Sequence, residues 1–120
     1  MNKRVIVLED EECVSNVIKL VGKKFGFDVN VYSNIEDLLD DIAVFKDSEL
    51  FITDFNLHDS TSIDVLKELK HRNIVIYTIL NSGNPMAMKE IEKAGLSDMV
   101  NECLDKTTNF KSFFEKMSNN

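Results

Sequence analysis

Apolar residues in this chain follow two alternating patterns: short continuous runs, and stripes at helical spacing. Val5-Ile6-Val7-Leu8 is a continuous, mostly β-branched run, as expected of a strand buried on both faces. It stops at Glu9-Asp10-Glu11-Glu12, which suits a strand exit followed by the acidic first turn of a helix. Val14, Val17, Ile18 and Val21 then recur at helical spacing, with Lys23 and Lys24 where the helix dipole favours cations and Gly26 as the stop. Phe27 to Tyr32 alternates like a second strand. Ser33-Asn34-Ile35-Glu36 has the form of a capping box, and Ile35, Leu38, Leu39 and Ile42 stripe the helix behind it. Leu50-Phe51-Ile52 predicts a third strand ending at Thr53-Asp54, and Ile63, Val65, Leu66 and Leu69 predict a helix over 62–71. The run from Ile74 to Leu80 reads as the fourth strand, followed by turn chemistry at Asn81-Ser82-Gly83-Asn84-Pro85. Met86 to Ala94 predicts a helix with Gly95 beyond it, Glu102–Leu104 a short strand, and Phe110, Phe113, Phe114 and Met117 the stripe of a last helix.

Strand–helix alternation repeated five times predicts an α/β fold: a five-stranded parallel sheet, doubly wound in the flavodoxin-like manner, with helices on both faces. In such sheets ligands bind at the carboxyl ends of the strands. At 120 residues and 43% hydrophobic, the chain has enough core for one domain, read here as a single unit over 1–120. No apolar run approaches the length of a membrane span, and the opening apolar stretch is too short for a signal peptide. Cys13 and Cys103 stand alone without metal-ligand spacing, which suits free thiols in a reducing cytoplasm.

Charge changes the picture. The formal net charge is −7, and all of the excess lies in residues 1–60, with 13 acids against 6 bases. That argues against a nucleic-acid or anionic-membrane surface and leaves open a metal cation, a basic partner or plain solubility. Two predicted strands deliver acids to one edge, Glu9 and Asp10 from the first and Asp54 from the third. Carboxylates gathered there repel one another unless protonated or neutralised, and a hard divalent cation such as Mg²⁺ (or Mn²⁺) is the natural neutraliser. Asn56 is placed to add its backbone carbonyl. The plainer alternative is that Glu9–Glu12 begins a solvated helix and Asp54 a loop.

The segments Val5-Ile6-Val7-Leu8-Glu9-Asp10-Glu11 and Leu50-Phe51-Ile52-Thr53-Asp54-Phe55-Asn56-Leu57-His58-Asp59 resemble the CheY-like response-regulator receiver family of two-component signalling, in motif order and over the whole length. The resemblance implies a phosphoacceptor at Asp54 and Mg²⁺ held by Glu9, Asp10, Asp54 and the Asn56 carbonyl. It implies that Asp54 takes its phosphoryl group from a phosphohistidine on a sensor histidine kinase or a phosphotransfer protein. With the length and cysteine usage above, the expectation is a stand-alone cytoplasmic receiver with no output domain, which catalyses only its own phosphorylation and dephosphorylation. The signal is then passed on, or the phosphoryl group relayed, through contacts with a downstream protein, with no nucleic acid or membrane involved.

The family also has a hydroxyl at the end of strand four and a lysine after strand five. Thr78 fits the first if Ile74 to Tyr77 is the strand, Ser82 fits by its spacing from Asp54, and counting back from Ala94-Gly95 points to Leu80, with no hydroxyl. Lys106 fits the second, in Leu104-Asp105-Lys106, while counting forward from Gly95 places Glu102 there instead. Thr107 stands where the family usually has Pro, and Cys103 is the nearest match to its aromatic switch residue. These departures motivate an alternative, a degenerate receiver that binds proteins without phosphate. The other classes are disfavoured. Glu9-Asp10-Glu11-Glu12 would repel a flavin phosphate, and a phosphatase-type hydrolase would want an acid where Asn56 stands. His58-Asp59 reads as a solvated pair rather than a catalytic dyad, and Phe113, Phe114 and Met117 read as core or as a partner patch.

Overall fold

The computed structural model describes residues 3–119. Five strands form one sheet: β1 (Lys3–Leu8), β2 (Phe27–Tyr32), β3 (Leu50–Thr53), β4 (Tyr77–Asn81) and β5 (Glu102–Leu104). Every neighbouring pair is parallel, in the order β2-β1-β3-β4-β5, so the predicted doubly wound α/β architecture is borne out. The helices are α1 (Glu12–Lys24), α2 (Ile35–Asp40), α3 (Ile63–His71), α4 (Ala87–Lys93) and α5 (Phe110–Ser118).

The pleat divides the core in two. Val5, Val7, Ile52 and Ile79 face α1 and α5, packing on Ile18, Phe110, Phe113 and Phe114. Ile6, Leu8, Phe51 and Leu80 face the other side, against Leu38, Leu66, Leu69 and Ile91 of α2, α3 and α4. Both faces of β1 are therefore covered, which is why Val5 to Leu8 are all fully buried. The aromatic stripe of α5 belongs to this core, since Phe113 and Phe114 are buried and Met117 packs against them. Val17 does not follow the predicted stripe of α1 and is 52% exposed, while Ser15, Ile18 and Gly22 are buried.

Two local predictions are corrected. The cap of α2 is Asn34 rather than Ser33: the Asn34 side chain accepts from the Asp37 N–H at 2.8 Å and donates to the Asp37 carboxylate at 3.1 Å. The fourth strand begins at Tyr77, not Ile74. Leu50, the first residue of β3, pairs with Tyr77, so among the described residues Ile74 to Ile76 have no strand alongside them. Ile74 and Ile76 pack on the core as a connector, and Val75 points outward, 96% exposed.

Gly22 marks a close approach between layers. A Cβ there would lie 2.7 Å from Val29 Cγ2 and 3.3 Å from Phe114 Cζ. Gly→Ala within a helix ordinarily stabilises by about 0.5–1 kcal/mol, but forcing a methyl into a packed core costs about 1–3 kcal/mol. Gly22→Ala is therefore expected to destabilise the domain, seen as a lower urea midpoint with an unchanged m-value.

Candidate functional site

Continuation of the sheet ladder beyond the strand ends builds the site. The Glu9 N–H donates to the Tyr32 carbonyl and the Asp54 N–H to the Leu8 carbonyl, both at 3.0 Å, so the two acids extend β1 and β3 in register. Val7 pairs with Ile52, which places Glu9 and Asp54 side by side on the face toward α1 and α5. Both are buried, and Asp10 is half-buried beside them. One ligating oxygen from each of Glu9, Asp10 and Asp54 lies within 4.8 Å of the others, which fits the oxygen donor set a small hard divalent cation requires.

Lys106, which follows the edge strand β5, closes the cluster on the same face. Its Nζ donates to Glu9 Oε2 at 2.7 Å and lies 3.3 Å from Asp54 Oδ2. The other Asp54 oxygen accepts the Phe55 N–H at 2.7 Å, so the carboxylate is held at both ends. A short turn presents Lys106. The Asp105 carboxylate accepts from the Thr107 hydroxyl at 2.6 Å and from its N–H at 2.9 Å, and the Thr107 contacts hold the Asp105 carboxyl below its ordinary pKa. Asn109 then caps α5, accepting from the N–H groups of Lys111 and Ser112. These hydrogen bonds and the cap hold the turn that leads from Lys106 into α5.

Burial is the largest influence on Glu9 and raises its pKa; the Lys106 hydrogen bond opposes this without reversing it. For Lys106, burial acts to lower the pKa, but the contacts with Glu9 and Asp54 outweigh it and the net shift is upward. An ammonium between two buried carboxylates thus stays charged, while one of the acids is held only reluctantly ionised.

Glu102 is not at this site. It pairs with Ile79, two residues short of the strand end, and accepts from the Tyr77 hydroxyl at 3.2 Å. Thr78 is likewise a correction. It pairs with Phe51, three residues before Asp54, and its hydroxyl donates to the Ile76 carbonyl at 3.1 Å, away from the carboxylates. The displacement follows from the late start of β4. Ser82 does reach the carboxyl edge, but it turns with Leu80 to the α4 side, where the two line one groove, and its Oγ accepts the Asn84 N–H at 3.0 Å. Asn56 lies in the loop after β3, its side-chain oxygen accepting from Asn84 Nδ2 at 3.1 Å, which ties that loop to the one after β4. His58 and Asp59 are both about nine-tenths exposed, 3.8 Å apart, a solvated pair.

Sequence reasoning passed over Asn81. It reads as the first residue of a turn, yet it is the last residue of β4 and only 1% exposed. An amide in an otherwise apolar strand end is the signal that was available.

No protein-family model matches the chain. The cell cycle transcriptional regulator CtrA of Caulobacter vibrioides is 32% identical over 81 residues, 68% of this chain and 35% of that protein. The chain thus matches about a third of the length of this curated relative. Among solved structures, the signal receiver domain of a LuxO repressor protein from Vibrio parahaemolyticus superposes with a TM-score of 0.78 at 20% identity, covering 99% of this chain and 89% of that one. A CheY-like receiver domain from Methylobacillus flagellatus gives 0.78 at 16% identity, covering 99% and 98%. The response regulator TrrA of Thermotoga maritima, solved in complex with Mg²⁺-BeF, gives 0.76 at 20%, covering 98% and 97%.

Proposed function

We propose that this chain, which has the CheY-like fold, is a response-regulator receiver domain and that Asp54 accepts a phosphoryl group from a phosphohistidine on a partner kinase or phosphotransfer protein. The observation that carries this reading is Lys106, bonded to Glu9 and 3.3 Å from Asp54, in a pocket of three converging carboxylates. A degenerate receiver with Glu102 in the lysine position would have no cation there to meet a phosphate.

An Asp54 oxygen attacks phosphorus as the P–N bond of the phosphoimidazole breaks. The bonding pair stays on the imidazole nitrogen, which takes a proton, and the product is an acyl phosphate on Asp54. Glu9, Asp10 and Asp54, with the Asn56 carbonyl, would hold Mg²⁺, which when bound supplies charge neutralisation between acceptor and phosphoryl oxygens. Phe55 N–H fixes one Asp54 oxygen and leaves the other toward Lys106, whose ammonium offsets charge that gathers on the phosphoryl group. The phosphorylated state then biases a surface read by a downstream protein.

The test uses a small acyl-phosphate donor with Mg²⁺ and intact-mass detection. One phosphoryl group should be added to the wild type and none to Asp54→Ala. An adduct that survives the substitution, or no adduct at all, overturns the reading.

A further inference from the structure

We propose that Asn81 is a phosphoryl-binding residue of this domain, its carboxamide donating to the oxygens of the group on Asp54, in the role the resemblance assigns to a hydroxyl. The inference rests on the phosphoacceptor reading of Asp54 and concerns which neighbour meets the new charge.

Three observations place it. First, register: Ile52 pairs with Ile79 and Thr53 with Leu80, so Asp54 and Asn81 are the next lateral pair, and Glu9, Asp54 and Asn81 form one row across β1, β3 and β4. Second, face: Val7, Ile52 and Ile79, each two residues earlier, point to the α1–α5 side, as does Leu104, the partner of Asn81. The pleat returns Asn81 to that side, where Lys106 lies. The chain after β4 runs close to this lysine, since a Cβ on Gly83 would lie 3.6 Å from Lys106 Cγ. Third, need: among the described residues, neither Nδ2 nor Oδ1 of Asn81 has a hydrogen-bond partner, although the residue is 1% exposed. A buried amide left unpaired is costly, and sites of chemistry are among the places where such a cost persists. Ser62 Oγ shares the lack of a partner but begins α3, outside the row.

The chemistry matches. A phosphoryl group arriving beside Glu9 and Asp54 brings more negative charge than one ammonium offsets, and the amide offers two N–H donors without any charge of its own. It also reaches one bond further than a serine hydroxyl. Ser82, turned to the α4 side and bonded to Asn84, is not in the row.

The experiment compares wild type, Asn81→Ala, Asn81→Thr and Ser82→Ala, each with trifluoroberyllate and Mg²⁺ and each with the acyl-phosphate donor. The expected result is that Asn81→Ala weakens apparent trifluoroberyllate affinity and slows phosphorylation by about tenfold or more, while Asn81→Thr restores part of it. The Asn81 side-chain amide resonances of the wild type should move on trifluoroberyllate binding, and the melting temperature of Asn81→Ala should equal or exceed that of the wild type. Unchanged affinity in Asn81→Ala with normal wild-type phosphorylation overturns the role of Asn81 alone. A loss in Ser82→Ala instead, or a melting temperature in Asn81→Ala well below the wild type, does the same. A wild type that takes neither probe overturns the Asp54 reading together with this one.

Discussion

Lys106→Met is expected to slow phosphorylation of Asp54 by about 10²–10³-fold, the usual cost of removing one preorganised charge-stabilising donor. It should also destabilise the metal-free domain at neutral pH. In the wild type the ammonium sits between a fully buried Glu9 and a buried Asp54, 2.7 and 3.3 Å away. Methionine keeps most of the stem packing and deletes the charge, so two carboxylates then face each other without a counter-ion. Removing one partner of a buried pair costs about 3–5 kcal/mol when it is sealed from water. Lys106 keeps 30% of its side chain exposed, which argues for a cost of about 1–3 kcal/mol.

The sign with pH identifies the cause. The folded pKa of Glu9 is already raised by burial, and Lys106 is the chief group opposing that rise. A carboxyl raised on folding contributes stability that is complete below its unfolded pKa and lost as pH climbs through the folded one. Without Lys106 the rise is larger, so the deficit of Lys106→Met should shrink on acidification as Glu9 protonates. Mg²⁺ should close the same gap, raising the variant's melting temperature more than the wild type's, because the cation takes over the neutralising role. A deficit that ignores both pH and Mg²⁺ would mean that Lys106 matters only for its packing. At the alkaline end, Lys106 contributes stability below its ordinary pKa that is lost as pH rises through its raised folded value, and the variant lacks that loss.

The parts of this site that the sequence made legible are those fixed by burial. Val5 to Leu8 and Leu50 to Ile52 are covered on both faces, so their continuous apolar runs end where the acids begin, and Glu9 and Asp54 could be placed at one edge. The part it hid depends on which strand lies alongside. Ile74 to Tyr77 looks like the body of a strand, but a ladder needs a partner, and β3 offers none before Leu50. That three-residue displacement moves Thr78 away from the carboxylates and turns Asn81 from a loop residue into a strand end. The choice between Lys106 and Glu102 was open because the count from Gly95 to the last strand is ambiguous; in the fold Glu102 pairs with Ile79, while Lys106 lies 3.3 Å from Asp54. The cap at Asn34 rather than Ser33 is a one-residue ambiguity between two good capping side chains.

Phe114→Ala is expected to cost about 3–5 kcal/mol, against a total stability of about 5–15 kcal/mol for a domain of this kind. Phe114 is fully buried, with ring centroids 5.2 Å from both Phe27 and Phe113, and it fills the space that Gly22 leaves open in α1. Collapse into the resulting cavity is hindered because α1 and β2 are anchored to the sheet on the same side. The stripe of α5 was also open to reading as a partner patch, and stability measurements separate the two. A docking residue would leave the urea midpoint near wild type and weaken only binding to a partner. A core residue should lower the midpoint sharply, with Phe114→Leu intermediate because it refills much of the volume. The site follows the core, since the Asn109 cap and the turn that presents Lys106 lead directly into α5. Phosphorylation of Phe114→Leu should therefore remain close to wild type, and that of Phe114→Ala should fall with its folded fraction, recovering when the domain is refolded with a stabilising osmolyte.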